Sequence, residues 1–491
     1  MATTCIFRLV WRRLKLQSRV QGVNYSVQRH LLSDAYLCQE AWKKRLNAPE
    51  LKVPCDEFLT KLFDKYEKDK MISVVDISIL VNKISELDEN DLKMVESLLY
   101  KFRHCRSAHD ITDSLAYSLV RCYIEINKAE RLIPILKNKV NYGIFPNCQT
   151  ANILMDHFIK AKKYNNAAEV AYEMMLQEDF SHRATALLSL YSCIKHFMHM
   201  SPPDTVEEAA APDEDEEENW IKLRYINKPY YDDHFDITEP KLLLGKTLVA
   251  LGKVFKENTI LSNSLQVVGW ALYEKFDKGL IFLESCLNEP IQPSIYEEVI
   301  LKFEECLKEA SIQDPSKIQK ELGLLTKDDI REELKVTAEE KEAYLERFKV
   351  IFQEFKSEAK LLKGKANLEC EVDDLTLKEL PDLEKPDIEK QIHDFLQWET
   401  DREHLLKAQI EMYQRLTKRK EIEEKLLQLQ EKEEILTFFE SKHKLMLAAD
   451  LGRRRIEKEE KRAYKPKSVD EFDEDGQNIQ KVKGEFKKKK I

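Results

Sequence analysis

The chain matches itself at an offset of 35 residues. Laying SLAYSLVRCYIEINKAERLIPILKNKVNYGIFPN on QTANILMDHFIKAKKYNNAAEVAYEMMLQEDF puts Leu119 on Leu154, Tyr123 on Phe158 and Ile124 on Ile159. Within the second copy, Ile153, Leu154, Phe158 and Ile159 make one helical stripe, and Ala167, Ala168, Val170, Ala171, Met174 and Met175 make the next. Lys162, Lys163, Tyr164 and Asn165 mark the turn between them. A helix pair of this size cannot bury its stripe alone, so pairs must stack, and a stable stack needs about three of them. Weaker units flank the two, at 74–104 and from Ala184 onward. The expected fold class is all-α, a helical-hairpin solenoid.

Composition agrees with helix and narrows the chemistry. Only 11 Gly and 15 Pro in 491 residues leave too few turn residues for many short strands or a Gly-lined nucleotide fold. The ten cysteines contain no C-x-x-C pair and no dense secreted framework, which points to a reducing compartment. A net charge of -10 argues against a globally basic nucleic-acid binder, but the acid is concentrated in the run from Asp213 to Glu218. PKLLLGKTL carries Gly245, Lys246 and Thr247, the end of a phosphate loop, yet Pro240 stands where that loop needs its first Gly. His196 and His199 are three apart without a third ligand, and no G-x-S-x-G or H-E-x-x-H occurs. These patterns predict no enzyme, no cofactor, no metal and no small-molecule substrate.

Six regions follow along the chain. Residues 1–33 hold Arg8, Arg12, Arg13, Lys15, Arg19 and Arg29 and no acid before Asp34, the composition of a mitochondrial transit peptide with cleavage near Arg29–Leu32. Residues 34–200 hold the repeats and 201–240 an acidic linker. Residues 241–385 continue the solenoid weakly, with Val267, Trp270, Ala271, Tyr273 and Leu280 forming a further stripe. Residues 386–465 read as one long polar helix with a narrow seam that includes Ile392, Phe395, Leu396, Leu405 and Leu426, either a coiled coil or an arm laid on a partner. The end, 466–491, closes on Lys487–Lys490 as a basic disordered tail. No window approaches the roughly 20 apolar residues of a membrane span, so no membrane partner is expected.

KNKVNYGIFPN followed by TANILMDHFIKAKKYNNAAEVAYEMM resembles the pentatricopeptide repeat, in which a second helix ends in a Gly-Ile-x-Pro-Asp turn and the next repeat opens with Thr-x-Asn-x-Leu-Ile. Gly143, Ile144, Pro146, Thr150, Asn152, Leu154 and Asp156 match, and Asn147 replaces the usual Asp. Tetratricopeptide repeats share this plan at a period of about 34 residues. LLYKFRH at 98–104, NKVNYGIFPN at 138–147, YLERFK at 344–349 and Gln397, Trp398 and Glu399 on the late helix resemble, in order, the family of mitochondrial small-subunit ribosomal protein twenty-seven. The segments 201–240 and 466–491 do not align with that pattern.

The resemblance implies a structural component of the mitochondrial small ribosomal subunit, located in the matrix, supporting translation by binding rRNA and neighbouring ribosomal proteins. Other readings are a free mitochondrial pentatricopeptide factor acting on transcripts and a protein-binding helical scaffold. Carried over residue by residue, the base-reading positions are Asn152 with His182, and Tyr117 with Asn147. Tyr117 either stacks on a base or packs on the neighbouring repeat, packing being favoured. Two clear repeats cannot specify a long sequence, so binding is expected mainly through phosphate. The candidate phosphate contacts are Lys101, Arg103 and Arg106, then Arg121, Arg131, Lys137 and Lys139, then Lys160, Lys162 and Lys163, which stacking would align into a stripe.

Overall fold

The structure, a computed structural model, describes residues 31–200, 230–288, 295–313, 327–358, 360–362 and 367–463. The basic segment up to residue 30, the acidic run at 213–218 and the tail at 466–491 lie outside them. Leu31 and Leu32, assigned to the targeting segment from sequence, are buried in the core.

Four helices lead in: α1 (Gln39–Lys44), α2 (Cys55–Asp69), α3 (Val74–Asn82) and α4 (Glu89–Arg103). The repeats follow. α5 (Asp113–Glu125) pairs with a second helix broken into α6 (Leu132–Lys137) and α7 (Lys139–Tyr142), and α8 (Cys148–Lys160) pairs with α9 (Tyr164–Leu176). α10 (Arg183–His199) packs on α8 and α9, and α11 (Pro240–Val254) packs on α9 and α10. α12 (Thr259–Leu272) with α13 (Phe276–Asn288) makes the next pair. Then come α14 (Glu297–Glu309), α15 (Lys327–Glu333), α16 (Ala338–Ser357) and α17 (Leu368–Ala463). Two short strands, β1 (Ile295–Tyr296) and β2 (Leu361–Leu362), pair in parallel.

The 35-residue period is written into the backbone. Asn127 and Lys162 both take left-handed φ angles, 55° and 58°, where the first helix of a pair turns into the second. At both turns a backbone amide closes on the helix behind it, Lys128 on Tyr123 O and Lys163 on Phe158 O, each at 2.9 Å. The return turn repeats likewise, with Gly143 at 63° and Glu178 at 56°. Only at Gly143 is the residue free of the Cβ penalty of about 1–2 kcal/mol. There the Arg103 side chain also lies where a Cβ would stand. Leu119, Leu154, Tyr123 and Phe158 are all buried, and Ala167, Ala168 and Ala171 are fully buried, which lets α9 approach its neighbours closely.

Gly245, Lys246 and Thr247 lie inside α11 rather than in a loop. A Cβ on Gly245 would meet the backbone of Tyr273 and Gly269, and one on Gly269 would meet Val249. These glycines set the close crossing of α11 and α12, and Thr247 turns its hydroxyl back to Leu243 O at 2.7 Å.

The last helix differs from its sequence reading. α17 begins at Leu368 rather than at the expected 386, and it runs through Pro381 and Pro386. Both prolines face solvent, where water can satisfy the carbonyls that lose their helical partner. Packing of Leu380, Glu384 and Asp387 on the other side holds the helix together. The chain divides into two units after Leu405. In the second, the described residues are almost all exposed.

Candidate nucleic-acid interface

In the first unit, the first helices of successive pairs turn one row of side chains toward α17. Along α17, Leu368, Val372, Thr376, Leu380, Glu384, Asp387, Gln391 and Arg402 are buried, with half-buried Phe395 and Trp398 continuing the same three-to-four spacing. Asn258, which caps α12, donates to Glu371 at 2.9 Å. Lys195 of α10 bridges Glu369 at 2.6 Å and Asp373 at 2.8 Å. Arg183 meets Glu379 at 2.9 Å, and His182 meets Asp387 at 2.9 Å. Tyr117 donates to Gln391 at 2.9 Å, and Gln149 to Asp394 at 3.3 Å. The acidic face of α17 thus lies along the row of the first helices that holds the expected base readers Tyr117 and His182.

The lead-in segment joins this seam. Ser33 donates to Glu384, Leu32 N donates to Asp156 at 3.2 Å, and Tyr36 donates to Asp387 at 3.2 Å while accepting from Asn152 at 3.0 Å. Burial and the neighbouring Asp387 carboxylate push the Tyr36 phenol well above its usual value, so it stays a donor. Burial opposes the charge on Lys195, yet its bonds to Asp373 and Glu369 outweigh that and raise its pKa.

The expected base readers therefore need correcting. Tyr117 and Asn152 have no exposed surface. Tyr117 sits in an aromatic cluster, its ring 5.3 Å from Trp42, 5.3 Å from Phe395 and 5.2 Å from Trp398. Asn147 caps α8, accepting from Thr150 N at 2.9 Å and Thr150 Oγ1 at 2.6 Å. His182, a third exposed, is tied to Asp387. Arg121, expected at phosphate, is buried and donates to Leu37 O at 2.8 Å. Asn147 is engaged within its own helix, whereas Tyr117, Asn152, His182 and Arg121 share one physical reason: each finds a hydrogen-bond partner in the lead-in segment or in α17, the two ends of the same folded unit.

The remaining cations are mostly paired, one repeat to the next. Arg131 pairs with Glu96 at 2.9 Å, Lys137 with Glu169 at 2.7 Å, Lys139 with Glu173 at 2.6 Å and Lys163 with Glu130. Burial raises the Glu173 pKa against the pull of Lys139. Lys160 pairs with Asp156 at 2.7 Å, in the preceding turn of its own helix. Lys101 lies 4.4 Å from the Phe63 ring centroid, and Arg103 donates to Val140 O at 3.3 Å. Among the described residues, Arg106 and Lys162 are exposed and carry no ion pair. The single expected stripe is split. Lys162 and Lys163 sit where first helices turn into second ones, beside His196 and His199. Arg103 lies against Gly143 at the opposite turns, about 20 Å away along helices of thirteen residues.

Sequence reading missed Arg183, Lys195 and the acidic seam of α17. It took the apolar Ile392 and Leu396 as the seam, and both are exposed. The usable signal was the spacing of Leu368, Val372, Thr376 and Leu380, continued by Glu384, Asp387 and Gln391, which polarity concealed. No group of three His, Cys, Asp or Glu side chains that could hold a metal occurs among the described residues, and no helix there is long and apolar enough to cross a membrane.

Comparison with known proteins agrees with this architecture. Over 177 residues the chain is 23% identical to pentatricopeptide repeat-containing protein 2, mitochondrial, of Xenopus laevis. That match takes in 35% of this chain and 45% of the relative, so the chain spans less than half of that protein's length. Residues 1–428 match the family described as mitochondrial 28S ribosomal protein S27. With its helical pairs, its pentatricopeptide turns and a match over most of its length, the chain belongs to that family of mitochondrial small-subunit ribosomal proteins.

Proposed function

We propose that this chain is a non-catalytic structural component of the small ribosomal subunit in the mitochondrial matrix, holding small-subunit rRNA and neighbouring ribosomal proteins. The observation that carries this reading is the burial of Tyr117 against α17 and of Asn152 behind Tyr36 of the lead-in segment. A transcript reader needs such positions open to bases, whereas a building block does not. RNA binding is then left to phosphate-seeking cations on the turn edges, with Lys162, Lys163 and Lys160 on one and Arg103, Arg106, Lys101 and Lys139 toward the other. Of these, Lys160, Lys163 and Lys139 are held in ion pairs, and the Lys163–Glu130 pair is exposed on both sides, weak enough for phosphate to displace the carboxylate.

Sedimentation tests the assembly claim. The tagged chain is expected in small-subunit fractions of mitochondrial lysate, and its absence from them would sink the ribosomal reading. Changing Lys160, Lys162 and Lys163 together to Glu tests the RNA claim. The salt slope of rRNA binding should fall by about 0.7–0.9 for each phosphate that is no longer neutralised, and an unchanged slope would exclude that edge.

A further inference from the structure

A cleft of about 670 Å³ opens between α11, the ends of α9 and α12, and the start of α13. It is built by the close crossing at Gly245 and Gly269. One face of α11 supplies Lys246, Val249, Ala250, Lys253 and Val254. Met175, Phe180 and Val249 make a buried apolar floor. Trp270 is half-buried along one wall, with Lys278 Nζ 5.6 Å from its ring centroid. Lys246 Nζ stands at the same distance from the Tyr273 ring and donates to Asp233 O. Lys253 and Lys278 are exposed at the mouth. The two carboxylates present are Asp233, 3.5 Å from Lys275, and Glu178, an exposed group 4.0 Å from His234. Three ammonium groups against these two acids leave the cleft with a positive balance.

We propose that this cleft takes one unstacked nucleotide of single-stranded RNA, its base against Trp270 and its phosphates toward Lys253 and Lys278. The volume lies within the range of about 300–1,000 Å³ typical of small-ligand pockets. A ligand both flat and anionic uses the indole, the apolar floor and the ammonium groups together, and base–aromatic stacking with a cationic rim is how single strands are held without sequence readout. The Trp270 and Tyr273 rings stand 6.2 Å apart at 29° and form one flat wall, and an acidic peptide would satisfy the lysines without using that wall or the apolar floor. None of the cations in the expected stripe lines this cleft, so it is a second kind of RNA site. It rests on the reading that the chain binds rRNA.

The test uses the full chain with a labelled oligouridylate of about ten nucleotides and a base-paired hairpin of similar charge, read by anisotropy. Trp270→Ala should weaken oligouridylate binding about tenfold and leave the hairpin within about twofold, while Trp270→Phe stays within about threefold of wild type. Lys253→Glu with Lys278→Glu should lower the single-strand salt slope by about 1–1.5. With 4-thiouridine in the oligonucleotide, crosslinks should fall on the peptide holding Trp270 and Tyr273. Wild-type affinity in Trp270→Ala, or crosslinks confined to the Lys160–Lys163 turn, would overturn the cleft while sparing the rRNA reading. Equal displacement of the oligouridylate by polyglutamate would also overturn it, in favour of a protein ligand. Failure of the unaltered chain to bind either RNA would instead strike the rRNA reading itself.

Discussion

Residues 368–405 and 406–463 belong to one helix and look alike in sequence, both rich in Glu and Lys with scattered apolar side chains. Their environments are opposite. In the first stretch Glu384, Asp387 and Gln391 are buried. In the second, Ile435, Leu436 and Phe439 stand 74%, 82% and 84% exposed. What gets buried is decided by the partner surface and not by the hydrophobicity of the helix. A polar seam is stable where cations, amides and phenols stand ready to satisfy it, and an apolar stripe stays exposed where the folded unit offers it nothing.

The contrast is most directly broken at Tyr117. Tyr117→Ala should destabilise the first unit by about 3–5 kcal/mol in urea unfolding, because it empties the space between Trp42, Phe395 and Trp398. Wild-type stability together with a loss of RNA binding would instead restore Tyr117 as a base contact. Lys195→Met should remove about 1.5–3 kcal/mol at neutral pH by stranding Glu369 and Asp373. Because the folded pKa of Lys195 is raised from 10.5, its contribution is whole below that pH and fades as pH rises through the folded value. The gap between variant and wild type should therefore narrow only above about pH 10.5, and narrowing near neutrality would count against the bridge.

Smaller effects sharpen the same comparison. Asp387→Asn keeps an acceptor for Tyr36 and removes the charge opposite His182, so thermal unfolding should show a drop of about 0.5–1.5 kcal/mol. In the second stretch, Leu426, Leu427 and Leu436 changed together to Lys should move stability by no more than about 0.5 kcal/mol, since all three are exposed. A larger drop in dilute protein would mean that this stretch is covered after all, and a homodimeric coil would then be favoured if the drop tracked protein concentration.

Much of the repeat was legible beforehand. Tyr123 and Phe158, and Leu119 and Leu154, could be paired by offset because a stacked hairpin buries the same positions in every copy, and Gly143 marked its turn because few other residues take a left-handed φ freely. The cationic positions were legible as residues but not as a surface. Whether Lys139 faces solvent or Glu173 depends on which helix of the next pair lies across from it. Arg121 reads as one more surface cation until Leu37 and Gln39 are seen folded against it.

By itself the sequence determined the helical class, the 35-residue period, the turns at Gly143 and Lys162, and the family. These rest on local backbone preferences and on periodic burial, which neighbouring residues encode together. Only the tertiary structure decided that α17 starts at Leu368, that its acidic side covers the base-reading row, and that α11 and α12 cross closely enough to shape a lysine-rimmed cleft. The crossing depends on Gly245 meeting Gly269 and Tyr273, and the α17 seam on contacts between residues hundreds of positions apart, such as Ser33 with Glu384 and Tyr117 with Gln391. There polar groups are buried because each finds its particular partner, and no periodicity of hydrophobicity records that match.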